Sequence, residues 1–525
     1  MVCILSLAGC GGGGGDSKAP PPDGGVNFWA INTKTDTMYS LKADLIGEGE
    51  HCYIYLERNG RKTSAPDVPS IIHQFDNVIY PKLRAAYGEE PDVDNDPKVY
   101  LLLLDIIDDW NGTTVQAYYA GYFFSMDQDT SWHYSNKRDI IYLDIYPGNP
   151  NPLSDINRFN TFRSCMAHEF QHMIYWHKTG GVSINDTWLN EAMSELASFY
   201  AFDEPSWSRV ASFVSYDPTY NITRHSDSLT DWGPNNNLIA TLADYDVVYM
   251  WAQYIADRFD NKVLDHYAFR SILDNTATSG RGKVSVQSYL DSLNQGLTFA
   301  SVFRDWANAV FFGNNDGGNP VSTDCTLWTY KTINTWPGSY GGYSVHGLFN
   351  PAAKYDSIGR YINNYHGNLN NYGLRQLRPW SLGYYWKTSV PTPGSVTWTQ
   401  PVGGSLNLYA SLFYNEFPTD LDKFEPDMIS ENTYTYNGTA YMFLQNAQDA
   451  PAADPGMSSS IESFLGSAQP QTPPTFGAKL HAFSQNVAAP TRGAAAEPMP
   501  VCMHDILSRQ AEKIQLQMLE NRDTH

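Results

Sequence analysis

The stretch Met166-Ala167-His168-Glu169-Phe170-Gln171-His172-Met173-Ile174 constrains the fold more than any other part of this sequence. It carries the spacing H-E-x-x-H. On an α-helix, residues four apart stand one above the other, so His168 and His172 project from one face. Two imidazoles so placed can hold one Zn²⁺, and Glu169 beside them can take a proton from water. Met166, Phe170, Met173 and Ile174 offer an apolar side for a core. The spacing predicts a helix over roughly 161–178, with Thr161 as its cap and Gly180-Gly181 as its end.

Composition alone produces H-E-x-x-H in roughly one or two of every hundred chains of this size, so the motif needs a second feature. Thr187-Trp188-Leu189-Asn190-Glu191-Ala192-Met193-Ser194-Glu195 supplies it. Residues 173 to 190, 18 in all, separate His172 from Glu191. That interval lets the first helix end, a loop turn at Gly180-Gly181, and a second helix over 187–203 return antiparallel. Asp186 stands where a cap is needed. Glu191 then faces the two imidazoles and supplies a third ligand. A catalytic zinc takes three protein ligands and keeps one position open for water. Glu195, one turn on, is placed to accept a hydrogen bond from the outer nitrogen of a ligating histidine, which fixes its tautomer.

H-E-x-x-H, 18 residues, then N-E-x-x-S-E resembles the gluzincin metallopeptidases. The wording of Ala167–Ile174 and Trp188–Glu191 with Ser194-Glu195 is closer still to the hyicolysin family of bacterial secreted peptidases. Weaker resemblance runs from about 27 to 312, including Asp94–Tyr100 and Phe303–Asn308. The resemblance implies that His168, His172 and Glu191 are zinc ligands and Glu169 the catalytic base. It also implies a tyrosine, at the start of a later helix, that donates to the oxyanion. Tyr245 in Ala243–Tyr249 is the choice, with Tyr249, His225 and His266 as rivals. Gluzincins present an edge strand upstream of the metal helix to the substrate backbone, and Asp139–Ile145 is the expected one. The signature G-x-M-E-N, by which aminopeptidases grip a free N-terminus, is absent, which favours an endopeptidase.

The rest of the sequence frames this unit. Residues 27–56 alternate in a strand-like way, and Val99–Leu104 and Asp139–Asp144 are apolar runs fit for buried strands. Ile71–Tyr87 reads as an amphipathic helix, and further helices are expected over 244–259, 264–274 and 299–311. Strands first and helices after give an α+β catalytic unit. The expected organisation is a signal-like segment over 1–10, a Gly/Pro-rich tether over 11–26 and a β-rich region over 27–65. A metallopeptidase unit follows over 66–320, then a connection over 321–374, a small β-rich C-terminal domain over 375–446, and a linker or tail over 447–525. A short helix is expected over Ala511–Asn521.

Leu7-Ala8-Gly9-Cys10 resembles a bacterial lipobox, so Cys10 is the expected lipidation site and the chain is expected in the cell envelope or outside the cell. Membrane attachment is expected only through that lipid. With Cys3 removed and Cys10 acylated, Cys52, Cys165, Cys325 and Cys502 remain without close spacing, which disfavours a cysteine zinc cluster. Cys165, three before His168, is expected in the core. His177, five past His172, is expected to point away from the metal. Asp92, Asp94 and Asp96 alternate like the start of a calcium loop. Pro97 stands where such a loop needs glycine and Leu103 where it needs glutamate, so a turn is the better reading and Ca²⁺ is unsupported.

A net charge of −22 leaves no basic surplus for a nucleic-acid backbone. The expected partner is a protein or peptide substrate. Two other readings stay open: a zinc aminopeptidase, and a non-catalytic surface lipoprotein that uses a peptidase-like fold for adhesion.

Overall fold

A computed structural model of the chain describes residues 25–114, 117–180, 186–214, 216–217, 222–223, 227–230, 232, 238–279, 281–313, 329–335, 338–345, 376–377, 380–398, 408–414, 427–428, 432–446, 452–453 and 499–502. The fold is mixed α and β, a sheet followed by helices. Strands β1 (Val26–Asn32), β2 (Thr37–Glu48), β3 (Cys52–Glu57), β4 (Val99–Leu104), β5 (Ala117–Phe123) and β6 (Ile140–Asp144) lie in the order β1-β2-β3-β4-β6-β5. A further strand, Met499–Cys502, pairs in parallel with the outer edge of β5. No strand was expected in that segment.

The alternation of strand side chains gives the sheet two cores. Leu101 and Leu103 of β4, with Ile141 and Leu143 of β6, face the helices. Leu102 and Leu104, with Ile140 and Tyr142, face a second cluster that includes Phe28, Phe124 and Met126. Every residue of β4 and β6 is buried, as expected for strands covered on both faces.

The expected edge strand is a correction. β6 pairs with β4 on one side and β5 on the other, so neither of its edges is open. Its uninterrupted apolar run is the mark of an interior strand.

The helices begin with α1 (Val68–Gln74), which runs through a π-helical turn at Phe75–Ile79 into α2 (Tyr80–Tyr87). The expected helix over Ile71–Tyr87 therefore starts three residues earlier, where Asp67 caps Ser70, and carries one wider turn. α3 (Ile156–Thr179) packs on β5 and β6, and α4 (Thr187–Phe202) packs between α3 and α6 (Leu238–Phe259). Between them lies the short α5 (Trp207–Phe213), against α6. α7 (Ala268–Ser279), α8 (Lys283–Ser292) and α9 (Phe299–Phe312) complete the helical half. The helix expected over 264–274 begins only at Ala268, because Lys262–Leu264 forms a separate 3₁₀ turn. Trp188, Trp251 and Phe299 meet edge-on and tilted at 5.3–6.0 Å, which ties α4, α6 and α9 together.

The strands Ser381–Trp398, Asn432–Asn446, Leu408–Tyr414 and Asp427–Met428 pair in that order. Cys10, His225, Cys325 and the helix expected over Ala511–Asn521 lie outside the described residues. Among the described residues no helix is long and apolar enough to cross a membrane.

Candidate metal centre

Helix α3 is 24 residues long and so spans about 36 Å. Its cap is Asp155, not Thr161: the Asp155 carboxylate accepts from Asn157 N at 3.0 Å and Arg158 N at 3.1 Å. Thr161 instead bonds back to Asn157 O within the helix. The helix ends as expected at Gly180, in the left-handed region at φ 65°. His177 is exposed in its last turn, where the dipole favours it.

At the start of α4, Asp186 stands in the cap position but makes no capping bond. Its φ of −109° and ψ of −4° turn it from the extended backbone a cap needs, and it lies buried 3.8 Å from Arg281 Nε. Burial raises its pKa to about 6, opposed by Arg281.

The two helices bring His168, His172 and Glu191 together in the interior. His168 Nε2 is 3.0 Å from His172 Nε2 and 3.3 Å from Glu191 Oε2, and His172 Nε2 is 3.6 Å from Glu191 Oε2. A tetrahedral zinc with bonds of about 2.0–2.2 Å holds neighbouring donors about 3.3–3.6 Å apart. The triangle therefore has the size of one coordination sphere. These three residues form a group able to hold a metal ion.

The outer ring nitrogens face oxygen atoms. His172 Nδ1 lies 3.1 Å from Asn190 Oδ1 and 2.9 Å from Ser194 Oγ. The Ser194 hydroxyl donates in turn to Gln171 Oε1. His168 Nδ1 lies 3.5 Å from Glu195 Oε1. With its proton on Nδ1, toward these oxygens, each imidazole turns an Nε2 lone pair to the shared centre. Burial also lowers the His168 pKa, against the raising effect of Glu169 and Glu195. The neutral form, the one that ligates, is favoured.

Glu169 is fully buried, with Cys165 Sγ 3.9 Å from its Oε1. Cys165 packs there and is not among the grouped ligand residues. β5 passes directly over this pair at Gly121. A Cβ at Gly121 would stand 2.6 Å from Cys165 Sγ, 2.6 Å from Tyr142 O and 3.4 Å from Glu169 Cγ. Only glycine lets the strand come this close to the motif helix.

Tyr245 lies in α6, buried, with its ring 6.4 Å from that of His168. Two of its rivals are tied elsewhere. Tyr249 OH accepts from Ser206 N and donates to Gln253 Oε1. His266 meets Tyr289 OH at 3.3 Å. Of the three candidates among the described residues, Tyr245 is brought to the histidines.

Gln171, Asn190, Ser194 and Arg209 have roles at the centre that no spacing in the sequence marks. The first three lie inside the two motif segments, so their positions were visible although their partners were not. Arg209 grips the Glu195 carboxylate with two bonds, Nε to Oε2 at 2.7 Å and Nη2 to Oε1 at 2.9 Å.

Asp92, Asp94 and Asp139 also bring carboxylate oxygens together. Asp139 accepts from Val93 N and Gln128 Nε2, Asp94 accepts from Asp96 N, and Asn95 is left-handed at φ 59°. These bonds make the segment a turn, in agreement with its sequence.

No family model matches the chain. The neutral metalloprotease ShpI of Staphylococcus hyicus is 28% identical to it over 286 residues, which is 53% of this chain and 61% of that protein. The chain thus spans less than two thirds of the curated relative it matches.

Proposed function

We propose that this chain is a zinc-dependent peptidase of the gluzincin type, akin to the hyicolysin family. It cleaves internal peptide bonds of protein substrates outside the cell, anchored by a lipid on Cys10. One observation carries this reading: two imidazole nitrogens and a carboxylate oxygen lie 3.0–3.6 Å apart, beside a buried glutamate. A neutral metalloprotease among its relatives supports a peptide substrate.

His168, His172 and Glu191 hold the ion, which when bound supplies Lewis-acid polarisation of the scissile carbonyl and acidifies water. Glu169 takes a proton from the attacking water and returns it to the leaving amine. Tyr245 donates a hydrogen bond to the developing oxyanion. The edge of β5 at Gly121, close to Glu169, is the place for a substrate backbone to pair. That edge is taken by strand Met499–Cys502, so a substrate backbone pairs there by displacing it.

Casein and a peptide blocked at its N-terminus test the reading. Both are expected to be cleaved, and a chelator is expected to stop both reactions. Cleavage confined to free N-termini favours an aminopeptidase instead. No chelator-sensitive cleavage of any peptide favours the non-catalytic surface lipoprotein.

A further inference from the structure

Arg209 stands on α5, 14 positions beyond Glu195, and its guanidinium reaches back to that carboxylate. Only 19% of the side chain is exposed. Its Nε and Nη2 hold both oxygens of Glu195, while Nη1 lies 3.3 Å from Asp246 Oδ1. Asp246, next to Tyr245, is fixed from its other oxygen by the Ser212 hydroxyl at 2.6 Å. The face of the Tyr245 ring lies 5.0 Å from the guanidinium carbon. One planar cation thus touches the carboxylate behind His168, the carboxylate beside Tyr245, and the ring of Tyr245.

This arrangement has a physical consequence. Glu195 can orient the His168 ring only if its oxygens are held still and its charge is kept. A two-point fork does both, because it fixes the carboxylate plane as well as its distance. Lysine supplies the charge but not the plane, and it stacks less well on an aromatic face.

Resting on the peptidase reading above, we propose that Arg209 is a positioning residue of the reaction. Through Glu195 it sets the His168 ring toward the ion, and through Asp246 and ring contact it sets Tyr245 toward the oxyanion. It touches neither substrate nor ion. Two parts of the machinery therefore share one support.

Arg209→Met and Arg209→Lys in the full chain test this, read by zinc affinity in competition with a chromogenic chelator and by kcat and KM on a blocked peptide. Both variants are expected to bind zinc about 10- to 100-fold more weakly, the range for partners that orient a ligand. At saturating zinc, kcat is expected to fall by about 100-fold while KM stays within about twofold, the pattern of a misplaced group. Without zinc, Arg209→Lys is expected to melt at the temperature of the metal-free wild type, so its defect is not one of folding. Ser208→Ala, on an exposed neighbour, is expected to change neither quantity. Wild-type zinc affinity and kcat in Arg209→Lys would overturn the proposal. So would losses in Arg209→Met that scale only with the fraction unfolded. Zinc affinity is measured without any substrate, so failure of the peptidase reading shows separately, as a wild type that binds zinc and cleaves nothing.

Discussion

Replacing Glu169 by glutamine is expected to lower kcat on a blocked peptide by about 10³- to 10⁴-fold while zinc content and melting temperature stay as in the wild type. The size follows from what the carboxylate does. Glutamine has the same shape and fills the same fully buried space beneath β5, so packing against Cys165 and Gly121 is kept. It cannot take a proton from water or give one to an amine. The three residues able to hold a metal ion are others, so zinc is expected to stay. Single-turnover rates, read beside metal analysis of the same sample, separate the loss of proton transfer from the loss of metal. Undiminished cleavage by Glu169→Gln would remove the base from the mechanism.

Glu191→Ala is expected to act differently, abolishing cleavage because the ion leaves. It removes the only anionic member of the ligand set and leaves two neutral imidazoles facing a void. A loss of more than about 100-fold in zinc affinity is expected, beyond the range for residues that merely orient ligands. The protein is also expected to melt at a lower temperature in excess zinc than the wild type. An ion that binds only the folded state stabilises it by RT ln(1 + [L]/Kd), so weaker binding gives a smaller rise. Titration calorimetry with zinc and thermal melts with and without the metal measure both effects. Wild-type zinc binding by Glu191→Ala would mean that the carboxylate is not a ligand.

The residues of the candidate centre were legible because their geometry is mostly local. Four residues along a helix fix His168 against His172. Eighteen more leave room for one turn and a returning helix, which brings Glu191 to them. Asn190 and Ser194 were on the page as letters of the same motif, but what they bond is decided by how α4 docks on α3. Sheet order was not legible. β6 has the composition of an interior strand and is one, yet nothing near it in sequence names β4 and β5 as its neighbours. Short helices were missed for a related reason. α5 has only seven residues, too few for a periodic pattern, and Lys283–Ser292 is rich in serine and valine, which favour helix weakly. Packing overrides propensity in both. Arg209 shows the same limit at the site itself. Its value lies wholly in where α5 lands, and no spacing announces it.

Zinc content of the purified wild type, measured by elemental mass spectrometry beside His168→Ala, is the most direct test of the metal centre. One zinc per chain is expected in the wild type and almost none in the variant. A wild type that holds no stoichiometric metal after dialysis against zinc would contradict the metal centre. A His168→Ala protein that keeps its full complement would contradict it equally.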